Sequence, residues 1–143
     1  MSLTHAGRHL STDQELRFLL ANASVRFTVQ RLGLARLLFE GRHRHVVASE
    51  LHLECAEKGL SISLATVYNS LRHFVQAGLL REVTVNADSS FFDTNTGPHG
   101  HAYDQTTQTL TDVPLPKFCL PMGVDPEQLE RVDVIYMLRS LPG

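Results

Sequence analysis

The sequence predicts an α+β chain of two small domains, a helical one leading and a strand-rich one following, and three observations carry that reading. Apolar residues recur every three or four positions up to about Leu79 and every second position beyond it. Formal charge divides near the same place. Residues 1–81 hold nine Arg and one Lys against six acids, an excess of +4, and residues 82–143 hold Lys117, Arg131 and Arg139 against nine acids, an excess of −6, within a net charge of only −2. Such a split suits one half to an anion and the other to a cation, and chance segregation of surface charge gives the same figures. The third observation is Thr94 to Pro98, where Asn, Gly and Pro lie close together and mark a linker. A length of 143 residues, 43% hydrophobic and 20% charged, accommodates one modest domain or two small ones.

The helices follow in order. Thr12 and Glu15 have the spacing of a capping box, and Leu16, Leu19, Leu20 and Ala23 line one face behind them. A second helix starts at Thr28 and buries Leu32, Ala35, Leu38 and Phe39. A third runs from Val47 to Glu57, with Leu51 and Cys55 on its inner face and Gly59 as its stop. Ser63 caps a fourth, Leu64 to Ala77, ended by Gly78. Short helices with tight connections and a basic excess fit a helix-turn-helix or winged-helix module.

Beyond Leu79 the pattern is that of strands. Leu80 to Val85 and Ser90 to Asp93 flank Asn86-Ala87-Asp88-Ser89 as a hairpin, placed where a wing would follow the fourth helix. His101 to Tyr103, Thr109 to Val113 and Val132 to Leu138 read as short strands of a second sheet. In the last, Val132, Val134, Tyr136 and Leu138 share a face, while Asp133 and Arg139 point away. Met122 and Met137 read as packing residues. The chain has no repeat and no low-complexity tract.

Other classes fall away. No apolar run approaches the roughly 20 residues that span a bilayer, and the opening MSLTHAGRHLSTDQE lacks the apolar stretch of a signal peptide, so no membrane association and a cytoplasmic location are expected. Cys55 and Cys119 stand far apart in sequence without a neighbouring thiol, which argues against a disulfide scaffold or a Cys-x-x-Cys knuckle. Cys55 reads as a core thiol and Cys119 as inert.

Two constellations carry chemistry. The fourth helix presents Ala65, Thr66, Tyr68, Asn69 and Arg72 on one face and turns Val67, Leu71 and Phe74 inward. Small residues near its start allow close approach to a groove, Tyr68 suits a thymine methyl or a phosphate, and Arg72 a phosphate or guanine. An ordinary solvated face has the same pattern. His99 and His101, two apart, project to one side of a strand and can chelate one ion, with Asp93 and Asp112 on flanking segments. Imidazoles with carboxylates suit zinc, ferrous iron or manganese, and spacing does not choose among them. Two histidines beside Pro98 and Gly100 can equally be loop residues. His5, His9, His43, His52 and His73 read as surface or phosphate-proximal, and Arg42-His43-Arg44 as a basic cluster that steers toward phosphates or simply a solvated turn. Two His and an Asp also compose the facial triad of non-haem iron enzymes, but no acid/base or oxyanion group accompanies them, and the chain is not expected to be an enzyme.

Arg26-Phe27-Thr28-Val29-Gln30-Arg31, with SLATVYNSLRHFVQAGLL at 63–80, resembles the DNA-binding domain of the Fur (ferric uptake regulator) family, and SSFFDTNTGPHGH at 89–101 resembles its hinge and metal region. The likeness covers essentially the whole chain. Within the family it is most similar to the iron response regulator (Irr) branch, through Phe92-Asp93-Thr94-Asn95-Thr96, the segment His99-Gly100-His101-Ala102-Tyr103 and the Val-Asp-Val strand at 132–134. The resemblance implies a winged-helix DNA-binding domain at 1–93, a hinge at 94–98 and a small α/β dimerisation and metal-sensing domain at 99–143. It implies a homodimeric repressor on a double-stranded operator, responsive to iron or haem. It implies that Arg26 joins Ala65, Thr66, Tyr68, Asn69 and Arg72 at DNA, and that His45, Asp93, His99, His101 and Asp112 hold the regulatory metal. A direct metal or peroxide sensor of the Fur, Mur or PerR type is the alternative, and a metal-independent adaptor a further one.

The departures are specific. Where the family's structural zinc needs a Cys-x-x-Cys pair this chain has Asp104-Gln105-Thr106-Thr107, so a four-cysteine zinc is not expected. A second ligand set next to the His-x-His is lost at Pro98 and Gly100. Irr-like proteins carry three consecutive histidines where this chain has His99-Gly100-His101, and neither cysteine precedes a proline. Haem binding through His99 or His101 is left open.

Overall fold

The structure, a computed structural model, describes residues 12–141, so His5 and His9 lie outside the described residues. The chain divides into two compact units, 1–97 and 98–143.

The first unit begins with α1, Asp13–Asn22, whose capping box is complete: Glu15 N–H donates to Thr12 Oγ1 at 3.2 Å and Thr12 N–H to the Glu15 carboxylate at 3.2 Å. Helix α2, Val29–Phe39, starts at Thr28, which accepts the Arg31 N–H at 3.0 Å. Helix α3, Ala48–Glu57, has Val47 at its cap position with no side-chain cap bond. Helix α4, Leu64–Gln76, starts at Ser63, which accepts the Thr66 N–H at 3.1 Å, and stops before Gly78, whose φ of +78° only glycine adopts without strain. Leu16, Leu20, Leu34, Leu38, Leu51, Cys55, Val67, Leu71 and Phe74 are at most 1% exposed and form one core among the four helices. Phe92 joins that core from the sheet.

That sheet has the order β1-β3-β2 and is antiparallel throughout, from β1 (His45–Val46), β2 (Arg81–Asn86) and β3 (Ser89–Asp93). The hairpin β2–β3 lies where the alternation places it, with a register shift between Thr84 and Asn86. Strand β1 has no counterpart in the sequence reading, because two residues cannot display a period. Its register sets His45 opposite Asp93 and Val46 opposite Phe92.

Arg44, expected to serve phosphates or lie in a solvated turn, does neither. Its guanidinium grips both oxygens of Glu54 on α3 and donates to the Leu37 carbonyl at 3.3 Å. The Glu54 hydrogen bonds outweigh partial burial and raise the guanidinium's proton affinity further, so the charge is spent inside the unit. Thr94, in the expected hinge, also belongs here: its Oγ1 accepts the Arg44 N–H at 2.9 Å and its own N–H reaches the Arg44 carbonyl at 3.1 Å.

The second unit is a sheet of order β5-β4-β6, with β4 (Gly100–Asp104) antiparallel to β5 (Thr109–Val113) and parallel to β6 (Ile135–Leu138). Asp104 Oδ1 closes the β4–β5 turn by accepting the N–H groups of Thr106 and Thr107 at 2.8 and 3.2 Å. Three expectations are corrected. The unit was expected to be α/β, yet its described residues hold a 3₁₀ turn, Pro126–Gln128, and no α-helix; Pro114, Pro116, Pro121 and Pro126 withhold the backbone donors a helix there would need. The last strand starts at Ile135, not Val132, and Tyr136, Met137 and Leu138 are all about half exposed, so no single buried face forms on this edge strand. Met122 and Met137, expected as packing residues, are exposed at 103% and 46% and lie outside the buried core of the described residues. No helix among the described residues is long and apolar enough to cross a membrane.

Candidate metal centre and reading helix

The expected metal ligands fall into two groups, one in each unit, and each offers one donor atom. In the first unit, the β1–β3 pairing brings His45 Nε2 to 3.3 Å from Asp93 Oδ2. The Asp93 side chain is 1% exposed, and its other oxygen accepts the Asn95 N–H at 2.8 Å. A carboxylate withdrawn from water to that degree needs positive charge or hydrogen bonds around it, and a cation with an imidazole co-ligand supplies that charge. The strand carrying His45 is held by the contacts that Arg44 and Thr94 make next to it.

In the second unit, His99 and His101 lie on the same side at the start of β4. Their Nε2 atoms are 3.0 Å apart and their ring centroids 4.5 Å apart at 66°. Asp112, paired with His101 across β4 and β5, places Oδ1 3.2 Å from His99 Nε2 and 3.4 Å from His101 Nε2. Gly100 lies close to its neighbours: a Cβ there would press on Val113 Cγ2 at 3.3 Å and touch two backbone oxygens at the ordinary contact distances of 3.5 and 3.6 Å. Two nitrogens and a carboxylate oxygen thus converge on one point. Neutral imidazoles both aiming lone pairs there repel unless a proton or a cation lies between them, and the donor types are those of a divalent first-row metal. Both histidines are buried, which fixes their direction.

The cysteines stay out of these groups. Burial, reinforced by Glu54, pushes the Cys55 thiol up and away from the thiolate that metals prefer, and Cys119 is exposed.

On α4, Val67, Leu71 and Phe74 are wholly buried, whereas Ala65, Tyr68, Asn69 and Arg72 are exposed and Thr66 half-buried. Thr66 is partly engaged, accepting a hydrogen bond from Ser63 Oγ at 2.9 Å. The Arg72 guanidinium stands over the Tyr68 ring, 5.3 Å from its centre. Arg26 is exposed at the start of α2, and its carbonyl accepts from Arg31 at 2.8 Å. Between α2 and α4 lies an open cleft of about 290 Å³ lined by Arg26, Gln30, Arg31, Thr66, Asn69 and His73 among others. Gln30 and Arg31 are the residues that reading the α4 face alone leaves out. The signal was there in the spacing of Arg26 and Arg31, which straddle the helix cap at Thr28 and so share one end of α2.

Comparison with known proteins adds to this geometry. Residues 22–118 match the profile of the ferric uptake regulator family. The chain is 36% identical over 110 residues to the peroxide-responsive repressor PerR of Staphylococcus epidermidis, covering 75% of this chain and 73% of that one. Its fold is similar to that of the Vibrio cholerae ferric uptake regulator, at TM-score 0.69 and 21% identity over 87% of this chain and 98% of that one. It is also similar to the ferric uptake regulator of Pseudomonas aeruginosa with manganese, at TM-score 0.67 and 21% identity over 87% and 96%.

Proposed function

This chain belongs to the ferric uptake regulator family and is a metal-responsive transcriptional regulator of that family, and we propose that it acts as a homodimer whose winged-helix domain reads an operator under control of one divalent ion. The observation that carries the metal half of this reading is the convergence of His99, His101 and Asp112 on a single point, with donor atoms 3.0 to 3.4 Å apart. The family resemblance adds His45 and Asp93 to the same ion. When bound, the ion supplies positive charge beside the buried Asp93 carboxylate and between the paired imidazoles. Donors taken from both domains make that charge a clasp, so that occupancy biases which domain orientations are populated. Arg26, Ala65, Thr66, Tyr68, Asn69 and Arg72 are proposed to meet the DNA.

Calorimetric titration with manganese, ferrous iron and zinc, paired with operator gel-shifts in the apo, metal-loaded and haem-loaded states, tests this. Stoichiometric binding lost in His99→Ala/His101→Ala, together with operator affinity that follows metal occupancy, is the expected result. Full binding by that double variant rejects the metal centre. Equal operator affinity with and without chelator rejects metal control in favour of a metal-independent adaptor.

The 36% identity to a peroxide-responsive repressor favours a direct metal or peroxide sensor as the second reading, against the Irr-like response to haem. A gain of 16 daltons on His45 or His99 in the iron-loaded protein after peroxide supports it. A stoichiometric haem spectrum that releases the operator supports the Irr-like reading instead.

A further inference from the structure

The reading helix and the first metal half-site share a residue boundary. Asp93 is the last residue of β3, and its neighbour Phe92 is 1% exposed in the core of the same unit. Side chains alternate along a strand, so while Asp93 turns toward His45, Phe92 turns to the opposite face. There its ring meets the ring of Tyr68 edge to face, with centroids 6.2 Å apart and planes at 90°. Tyr68 is 38% exposed and is also covered by Arg72, one turn further along α4. Tyr68 is therefore held between a guanidinium on its own helix and an aromatic ring whose backbone continues directly into a metal ligand. The same β1–β3 pairing that sets His45 against Asp93 sets Val46 against Phe92, so both half-site residues bear on the strand that carries this ring.

We propose that Phe92 is a positioning residue that couples the His45–Asp93 half-site to Tyr68, so that an ion drawing on Asp93 and His45 fixes the end of β3 and, through the Phe92 ring, the orientation of the reading tyrosine. This rests on the reading of α4 as the DNA-contacting helix and of Asp93 as a ligand. It adds to domain reorientation a second route that lies wholly within the first unit. An edge-to-face pair is strong enough to matter: its loss corresponds to about a three- to tenfold change in affinity for a ligand that needs the oriented ring.

The test uses full-length protein labelled with 3-fluorotyrosine, whose three tyrosines give three fluorine resonances, the one from Tyr68 being assigned with Tyr68→Phe. Zinc serves as a diamagnetic probe, and no DNA is present. In the wild type, zinc is expected to move the Tyr68 resonance. In Phe92→Leu, zinc binding should keep its stoichiometry and stay within about twofold in affinity, consistent with an aromatic contact that is not a ligand, while the Tyr68 resonance no longer responds. Phe92→Met, whose flexible side chain adapts to an irregular gap, replaces it if thermal melting shows the leucine variant unfolded. In gel-shifts, either variant should weaken operator binding by about three- to tenfold and have no further effect in a Tyr68→Leu background. A Tyr68 response to zinc that survives in the Phe92 variants, or a zinc-loaded wild type with Tyr68 unmoved, overturns the coupling while leaving the metal centre and reading helix intact. Wild-type protein that binds no zinc overturns the metal reading itself, and an operator affinity unchanged by Tyr68→Leu overturns the reading helix; in each case the coupling falls with it.

Discussion

Arg72 shows how one side chain is constrained from two directions. It leaves α4 on the exposed face and folds back over the Tyr68 ring, so its charge stays at the surface while its planar group stiffens a neighbour. A phosphate contact made from this position neutralises one backbone charge. Arg72→Ala is accordingly expected to weaken operator and non-specific DNA alike and to lower the slope of log affinity against log salt by about one; an unchanged slope in gel-shifts across a salt series excludes the contact. Asp93 is the opposite case, a carboxylate taken out of water whose value depends wholly on what sits beside it. The sequence places it next to Phe92 and in front of Thr94, but its burial and its imidazole partner are products of the β1–β3 pairing.

At the scale of elements, α1, α2 and α4 were legible because each carries its own cap, and α3, with Val47 at its cap position, through its apolar face and the glycine after it. Thr12, Thr28 and Ser63 all accept the N–H three residues on, and Gly78 turns the chain where the helix must stop. Strand β1 was illegible because only its partner defines it. Its anchor is the Arg44–Glu54 pair, which joins the strand to α3 and, through Leu37, to α2. Glu54→Gln leaves that anchor a weaker, neutral acceptor. With both partners about one-third exposed, the expected loss is modest, about 1 kcal/mol, accompanied by a weaker metal affinity because His45 follows directly. Chemical denaturation and zinc titration of the variant check this, and metal affinity identical to wild type removes Arg44 from the support of His45.

At the scale of the molecule, the two units differ in how they are stabilised. The first has a core of leucine, valine and phenylalanine side chains closed by four helices. The second, shorter than the roughly 60 residues at which a domain becomes marginal alone, buries Tyr103 and Leu110 as the only large apolar side chains among its described residues, beside His99 and His101. Its edge strand β6 leaves Tyr136, Met137 and Leu138 about half exposed. An apolar edge of this kind is a liability unless another chain covers it. If the proposed homodimer covers this edge, Tyr136→Asp with Leu138→Asp is expected to turn it into a monomer in sedimentation equilibrium; a double variant that stays dimeric places the interface elsewhere.

Much about this chain is local and was readable from residues alone. The change of period near Leu79, the three caps, the inward and outward faces of α4 and the pairing of His99 with His101 each depend on neighbours within a few positions. So does the charge division, since it is a property of composition. Tertiary structure decided what depends on residues far apart in sequence. It set His45 against Asp93 and Asp112 against His101, because strand register is a non-local choice. It took Arg44 out of the basic surface by supplying Glu54. It left the 114–134 segment largely irregular and β6 at an edge, where periodicity had promised a longer, half-buried strand, because alternation shows which side chains share a face but not whether anything lies against it.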